Sequence, residues 1–593
     1  MHDSSRCDAI SDLLSKGHHG LQMANKRERE RERERETFVL SPKTFTEDVY
    51  GHNWLFSGVA RDNSQLLVGD RDVRLKTTDI TLLREALGDF SLVVQHADGS
   101  LDFSSDFFGF ERIYYCNRDG VFAAANNYHL LLLVLRDLGI HMTLNRGKVI
   151  ANLVSVSGQI NQTNFSWDMD VEGVKELPVD QYIHISRTGV SFVNTRLYDI
   201  VREPKPFDPM EYERLIYAAR DEVIDNVRVC FEHPDFEHVQ VDLSGGLDSR
   251  IVYGATLNLP PRYGRKQRIR TASWPPNNAE VAATVNNIFG LKFDDLETVS
   301  SQDWISCMLD AYQSVYMGTY FGKVHWQETS RVPHTVRLGG YAGAIYRPYY
   351  SSKVHAVDDY LSFFGPSKAS TVLFNGVEGY REQLESFFAA SPGRSFEEQF
   401  MNHYLYFRNG HHFNSRFTAS SVCPSFAPLQ SRSLFLARQS RYSRRLDGKC
   451  LFDLLDALNP VLATVPFSEQ QGEERASLQN ELLLASRFHL EASFNPSQAS
   501  LESARLEKDT HRVFYPDIDT IRTSTKRVSD AVYCKDATQE AFDRILSSTQ
   551  IFTEEEISII QTKIGQYDDM HPWLSSCLTM KLLSIKHEVE IID

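Results

Sequence analysis

The sequence predicts a chain of mixed class, α+β and then α/β: a layered, β-rich amino-terminal unit followed by an α/β unit with a largely helical carboxyl-terminal part. Three observations predict it. Short β-rich runs broken by turn residues occupy the stretch from Thr37 to about Ile200. Ile216, Ala219, Val223, Val227 and Cys230 recur at helical spacing and lead into an alternating strand, Val239, Val241 and Leu243, which runs straight into Ser244-Gly245-Gly246. From about 380 to 593 helical runs dominate, among them Phe435 to Arg441, Leu451 to Leu458 and Leu574 to Ile585.

Along the chain, residues 1–36 are expected to be a solvated charged tail, because Arg and Glu alternate from Arg27 to Glu36 and leave no apolar stripe to dock. Residues 37–200 are predicted to form the first domain. Its strands are expected at Leu92-Val93-Val94, Leu101-Asp102-Phe103, Ile113-Tyr114-Tyr115 and Val121-Phe122-Ala123, with turns at Ala97-Asp98-Gly99 and Asn117-Arg118-Asp119-Gly120. A helix is predicted over Tyr128 to Asp137, and a strand pair around Gln181 to Ile185 and Val190 to Val193 closes the unit. Pro204, Pro206 and Pro209 mark the boundary, since each disfavours helix in the residue before it, and residues 201–593 are taken as the second domain.

Composition narrows the function. The chain has 593 residues, 42% hydrophobic and 24% charged, as an ordinary folded enzyme has. Asp and Glu outnumber Lys and Arg by 79 to 63, and a formal charge of −16 repels the phosphate backbone, so no nucleic-acid partner is expected. The longest aliphatic run, Leu130 to Leu135, falls far short of the about 20 residues a membrane span needs. The segment Met1 to Arg6 has no secretory pattern, so a cytoplasmic protein without membrane contact is expected. Its 8 cysteines contain no Cys-x-x-Cys pair, which predicts reduced thiols and neither bridges nor structural metal. His411-His412 has no third ligand at a suitable spacing and is not expected to bind metal.

The most informative segment is Val241-Asp242-Leu243-Ser244-Gly245-Gly246-Leu247-Asp248-Ser249-Arg250. A strand ends in two glycines, whose missing Cβ atoms let backbone N–H groups approach an anion, and a helix starts at once with its positive dipole end aimed at the same point. Ser244 and Ser249 add hydroxyl donors, while Asp248 makes sense beside phosphate if it holds a Mg²⁺ ion.

Ser244-Gly245-Gly246-Leu247-Asp248-Ser249 resembles the pyrophosphate-binding motif of the ATP pyrophosphatase superfamily, and the order of elements around it resembles the asparagine synthetase family. Leu87 to Val94 and Ser105-Asp106-Phe107-Phe108-Gly109-Phe110-Glu111-Arg112-Ile113-Tyr114-Tyr115 are similar to the class II glutamine amidotransferase domain of that family, and Gly173 to Pro178 to its end. Ala279 to Ala283 and Phe289-Gly290-Leu291 are similar to the second helix of its nucleotide fold. The resemblance implies ATP and Mg²⁺ as cofactors, phosphates on Ser244 to Ser249 and adenine near Arg270-Thr271-Ala272-Ser273-Trp274. It also implies that Gly339 and Gly340 line the pyrophosphate, that Asp248 is the metal ligand, and that an acyl-adenylate forms on a small-molecule or peptide carboxylate. An amine or ammonia would then take the acyl group. Association as a homodimer is left open.

The chain departs from the family at three places. Class II glutaminases use a cysteine exposed as the first residue, whereas His2 stands here; Cys7 could serve only if six residues were trimmed, and the charged repeat then separates it from the β-rich unit, so the amidotransferase-like domain is expected to be inactive. Leu338 to Tyr346 takes the place of a loop that carries a second metal-binding aspartate, but Gly343 or Ala344 stands where the carboxylate belongs; Arg337, Arg347 or both are candidates to replace the cation. Tyr341 lies where the β-lactam synthetase branch has a tyrosine that assists deprotonation of the amine, and is a candidate catalytic residue. Near Pro466 to Gly472 the family's pyrophosphate lysine is missing, and Lys449 is the remaining candidate. The expected function is ATP-dependent amide formation with release of AMP and pyrophosphate, in a specialised pathway rather than housekeeping asparagine biosynthesis. The alternatives are an intramolecular lactam or peptide cyclase and an inactive nucleotide-binding scaffold.

Overall fold

The computed structural model describes residues 22–26, 46–47, 53–62, 65–77, 79–118, 120–154, 162–203, 206–271, 276–291, 293, 315–321, 334–347, 349, 356–359, 381–382, 385–386, 388, 391–393, 395–414, 424–441, 448–465, 467, 533–569 and 572–592. The Arg-Glu run, His2, Cys7, Ala272, Ser273 and Trp274 lie outside them. Helices and strands both contribute: antiparallel sheets precede residue 200 and a parallel sheet follows it.

The first half is built from β1 (Gln22–Lys26), β2 (Thr46–Glu47), β3 (Asn53–Asp62), β4 (Gln65–Val68), β5 (Leu87–Gln95), β6 (Leu101–Ser105), β7 (Tyr114–Arg118), β8 (Val121–Ala125), β9 (Val174–Glu176), β10 (Gln181–Ser186) and β11 (Gly189–Asn194). One sheet runs β11-β10-β6-β5-β3-β2 with β4 on β3; the other runs β1-β8-β7-β9. Their facing side chains, among them Leu55, Val93, Phe103 and Ile183 from the first and Phe122 and Ala124 from the second, make the inner core. The two-residue side-chain period then sends Trp54, Phe56, Phe90 and Leu92 to the opposite face, where Val73, Ile80 and Leu83 cover them. Helices α1 (Tyr128–Asp137) and α2 (Arg146–Val154) cover the outer face of the second sheet. The bounds of α1 follow from its cap: Asn127 Oδ1 accepts from Leu130 N–H at 3.0 Å.

The second half opens on α3 (Pro209–Glu232), where Asp208 caps Met210 N–H and Pro209 occupies the first turn, which needs no N–H. It continues through β12 (His238–Asp242), α4 (Leu247–Leu257), β13 (Gln267–Arg270), α5 (Pro276–Ile288), β14 (Thr335–Leu338), β15 (Ser425–Phe426), α6 (Arg432–Arg441) and α7 (Lys449–Leu458). The strands pair in parallel in the order β13-β12-β14-β15. Val239, Val241, Val336 and Leu338 are buried against Ile216, Val223, Val227 and Ile251 of the flanking helices. Because β13 and β14 lie on opposite sides of β12, the chain reverses its direction of winding there, and the carboxyl end of β12 is the place where open parallel sheets form their ligand crevice.

Three further helices, α8 (Lys535–Ser548), α9 (Glu554–Gly565) and α10 (Pro572–Ile592), do not extend this α/β layer. Phe542, Ile564, Leu578, Leu582 and Ile585 share one core with Tyr114, Leu131 and Val149, so that core crosses the proline-marked boundary. The five described cysteines, Cys116, Cys230, Cys450, Cys534 and Cys577, are free thiols. No described helix is long and apolar enough to cross a membrane.

Candidate functional site

The carboxyl end of β12 delivers Ser244-Gly245-Gly246 into the crevice, and α4 starts at the next residue with Gly246 as its cap. The loop holds its own shape. Ser244 N–H donates to Ser249 Oγ at 3.0 Å, Gly246 N–H donates to Ser244 Oγ at 3.2 Å, and the two hydroxyls lie 2.8 Å apart. No side chain caps the first turn of α4, which carries one carboxylate, that of Asp248. Asp242 pairs in register with Arg270, and Leu243 N–H donates to Arg270 O at 2.7 Å, which brings Thr271 alongside the start of the loop.

The segment after β14 packs directly onto this loop. Gly339, Gly340 and Gly343 are each there for want of space. A Cβ at 340 would stand 2.7 Å from Ser249 N, and one at 343 would stand 2.3 Å from Asp248 Cγ and 2.5 Å from its Oδ1. A Cβ at 339 would meet the Tyr341 ring at 2.1 Å. Tyr341 therefore lies folded over Gly339, close to Ser425, Arg337 and Asp242. Burial holds its phenol far above the usual range, so it stays protonated and is no ready base.

Of the two arginines that the sequence offers as cations, Arg337 ion-pairs with Asp242, while Arg347 Nη2 donates to Asp248 Oδ2 at 2.5 Å. This donor set does not fit a divalent ion held by the protein. The one carboxylate is already engaged by a guanidinium, position 343 has no room for a second, and among the described residues no group of three or more His, Cys, Asp or Glu side chains converges.

Lys449 opens α7 next to Gly448, but its ammonium lies 2.5 and 2.7 Å from the two oxygens of buried Asp453, which also accepts from Tyr212 OH at 2.6 Å. That arrangement ties α7 to α3. His411 is buried between Tyr316 and Tyr320, with ring centroids 6.0 and 6.4 Å away.

The residue sequence reasoning missed is Arg250. It is fully buried one position past the motif, where Nη1 donates to Leu462 O at 3.1 Å and Val465 O at 2.5 Å, and its guanidinium stacks 3.9 Å from the Phe467 ring. Burial pushes it down to about 9, still a cation at neutral pH. It fastens Leu462, Val465 and Phe467 to the back of the loop. An arginine immediately before the run Ile251 to Ala255, which has no charged residue, was the available signal.

The segment Ser105 to Tyr115 is a docking hook. Asp106 Oδ1 accepts from Phe108 and Phe110 N–H at 3.1 and 3.0 Å and its Oδ2 from Glu111 N–H at 2.9 Å, which shapes the Phe107-Phe108-Gly109-Phe110 turn. The turn presents Arg112 to the carbonyls of Leu405 and Tyr406 across the boundary. No family model matches the chain, and no curated protein matches it.

Proposed function

We propose that the chain binds ATP in the crevice at the carboxyl end of β12 and uses it to activate a carboxylate for amide formation. The observation that carries the reading is the Ser244–Ser249 loop: a strand, two glycines and an uncapped helix start, placed where the winding of a parallel sheet reverses. In this reading the loop amides that the serines do not take, with the Ser244 and Ser249 hydroxyls, hold the β- and γ-phosphates, and Thr271 lies on the nucleoside side. A carboxylate oxygen of the substrate attacks the α-phosphorus and the α–β bridge breaks, so pyrophosphate leaves into the loop. An amine or ammonia then attacks the acyl carbon, loses a proton and expels AMP. The gain comes from orientation and from charge stabilisation on the departing pyrophosphate. Such an enzyme would work in the cytoplasm, where ATP is.

A second reading, a nucleotide-binding scaffold, is favoured by the engagement of Lys449 with Asp453 and of Tyr341 with Gly339. Incubating the full chain with ATP and a panel of carboxylates and amines, with mass-spectrometric detection of AMP and pyrophosphate, separates the two. Carboxylate-dependent AMP supports the ligase; saturable ATP binding with no AMP across the panel supports the scaffold.

A further inference from the structure

We propose that Arg347 is the counter-charge of the phosphate loop, so that a guanidinium does there what a protein-held metal ion would do and nucleotide binding is independent of divalent metal. The inference rests on the ATP-binding reading of the Ser244–Ser249 loop and names the residue that recognises the polyphosphate.

Four observations on the same few residues carry it. Arg347 Nη2 lies 2.5 Å from Asp248 Oδ2, in the first turn of α4, so the cation is already at the mouth of the loop. Both side chains keep some contact with solvent, at 21% and 17% exposure, which places the pair at the crevice rather than in the core. A second carboxylate at 343 is closed by geometry, since Gly343 approaches Asp248 too closely for any side chain, as Gly340 does Ser249, and position 344 is an alanine. Finally, space for Arg347 is kept by Gly448, at a positive φ of 71°, where a Cβ would stand 2.9 Å from Arg347 Cβ. Arg337, the other cation within the segment, is held away by Asp242.

The chemistry follows from the charges. An aspartate in the first turn of a phosphate-binding helix repels the ligand unless a cation sits beside it, and Arg347 is that cation. A guanidinium carries five N–H donors in a planar fork that suits phosphate oxygens, and among the described residues only Asp248 accepts from this one. Asp248 thus serves as a positioning residue: it aims the fork at the loop and leaves the outer edge for the ligand.

The test is isothermal titration of the full chain with ATP, once in excess EDTA and once with Mg²⁺. The wild type is expected to bind in EDTA with a dissociation constant within about threefold of the Mg²⁺ value. Arg347→Met is expected to bind about 10- to 100-fold more weakly in EDTA, the loss expected for a charge-assisted hydrogen bond, and to recover in part with Mg²⁺, which supplies the missing positive charge with the nucleotide. Arg347→Lys keeps the charge without the fork and should fall between, which holds the test open if Arg347→Met fails to fold. Wild-type binding that needs Mg²⁺ by about tenfold or more, or equal binding by wild type and Arg347→Met in EDTA, overturns the inference while leaving the ATP site standing. Absence of ATP binding in both buffers overturns the ATP reading itself.

Discussion

A carboxylate introduced at position 343 breaks the site rather than completing it. A Cβ there meets Asp248 Cγ at 2.3 Å, more than 1 Å inside the ~3.5 Å of an ordinary carbon contact. Asp248 cannot simply swing away, because Arg347 holds its far oxygen at 2.5 Å. Gly343→Ala should therefore cost about 1–3 kcal/mol, the range for overpacking a filled site. Gly343→Asp adds a second carboxylate beside the first. At a separation of ~4 Å and an effective dielectric of ~20 the repulsion approaches 4 kcal/mol, partly offset by Arg347, so a total of roughly 3–5 kcal/mol is expected. Gly264→Ala is the control, since nothing lies within 4 Å of its Cβ position. Urea unfolding followed by circular dichroism reads the difference: with a slope of about 3 kcal/mol per molar, Gly343→Ala should lower the midpoint by roughly 0.3–1 M and Gly343→Asp by more. A Gly343→Ala midpoint equal to the control would refute the close approach of 343 to Asp248. A Gly343→Asp midpoint above that of Gly343→Ala would refute the charge argument.

Arg250→Met leaves Leu462 O and Val465 O without their donor in a buried setting, at ~1–3 kcal/mol for each carbonyl, and should lower the apparent melting midpoint; an unchanged midpoint would mean that water replaces the guanidinium. Glu588 on α10 is fully buried beside Tyr128, Asp170 and Lys148, and its carboxyl is pushed well above its ordinary 4.5 by burial and then by Asp170. A carboxyl raised in the folded state contributes its stability below the unfolded value and loses it as pH rises through the folded one. Glu588→Gln, which stays neutral, should therefore gain stability relative to wild type as pH goes from about 5 to 8, measured by thermal unfolding of both across that range. A constant difference between the two would show that Glu588 does not titrate with folding.

What could be read in advance was local. The bounds of α1 are legible because Asn127 caps it within three residues, and the start of α3 because Asp208 and Pro209 adjoin it. The Lys449–Asp453 pair is likewise an i,i+4 contact visible in the sequence, and weighing it would have argued against a free catalytic ammonium. The glycine loop was legible because strand, glycines and helix follow without interruption. What escaped was set by contacts distant in sequence. Nothing local distinguishes Arg347, which meets Asp248, from Arg337, which meets Asp242. Amphipathicity shows that α10 buries a face, but not that the face lies on α1 and α2 of the other half. Arg250 needed the position of the 462–465 carbonyls, which only the fold supplies.

The most direct test of the central claim, that Ser244–Ser249 cradles a nucleotide's phosphates, is titration of ATP into wild type and Gly246→Glu. Position 246 tolerates a side chain, its nearest neighbour being Ser244 Oγ at 3.4 Å, and its backbone φ of −90° suits any residue. A glutamate there places a negative charge at the cradle with little strain. Saturable wild-type binding, weakened at least about tenfold in Gly246→Glu at an unchanged melting midpoint, is the predicted result. Equal affinity in the two proteins, or no binding by the wild type at millimolar ATP, would contradict it.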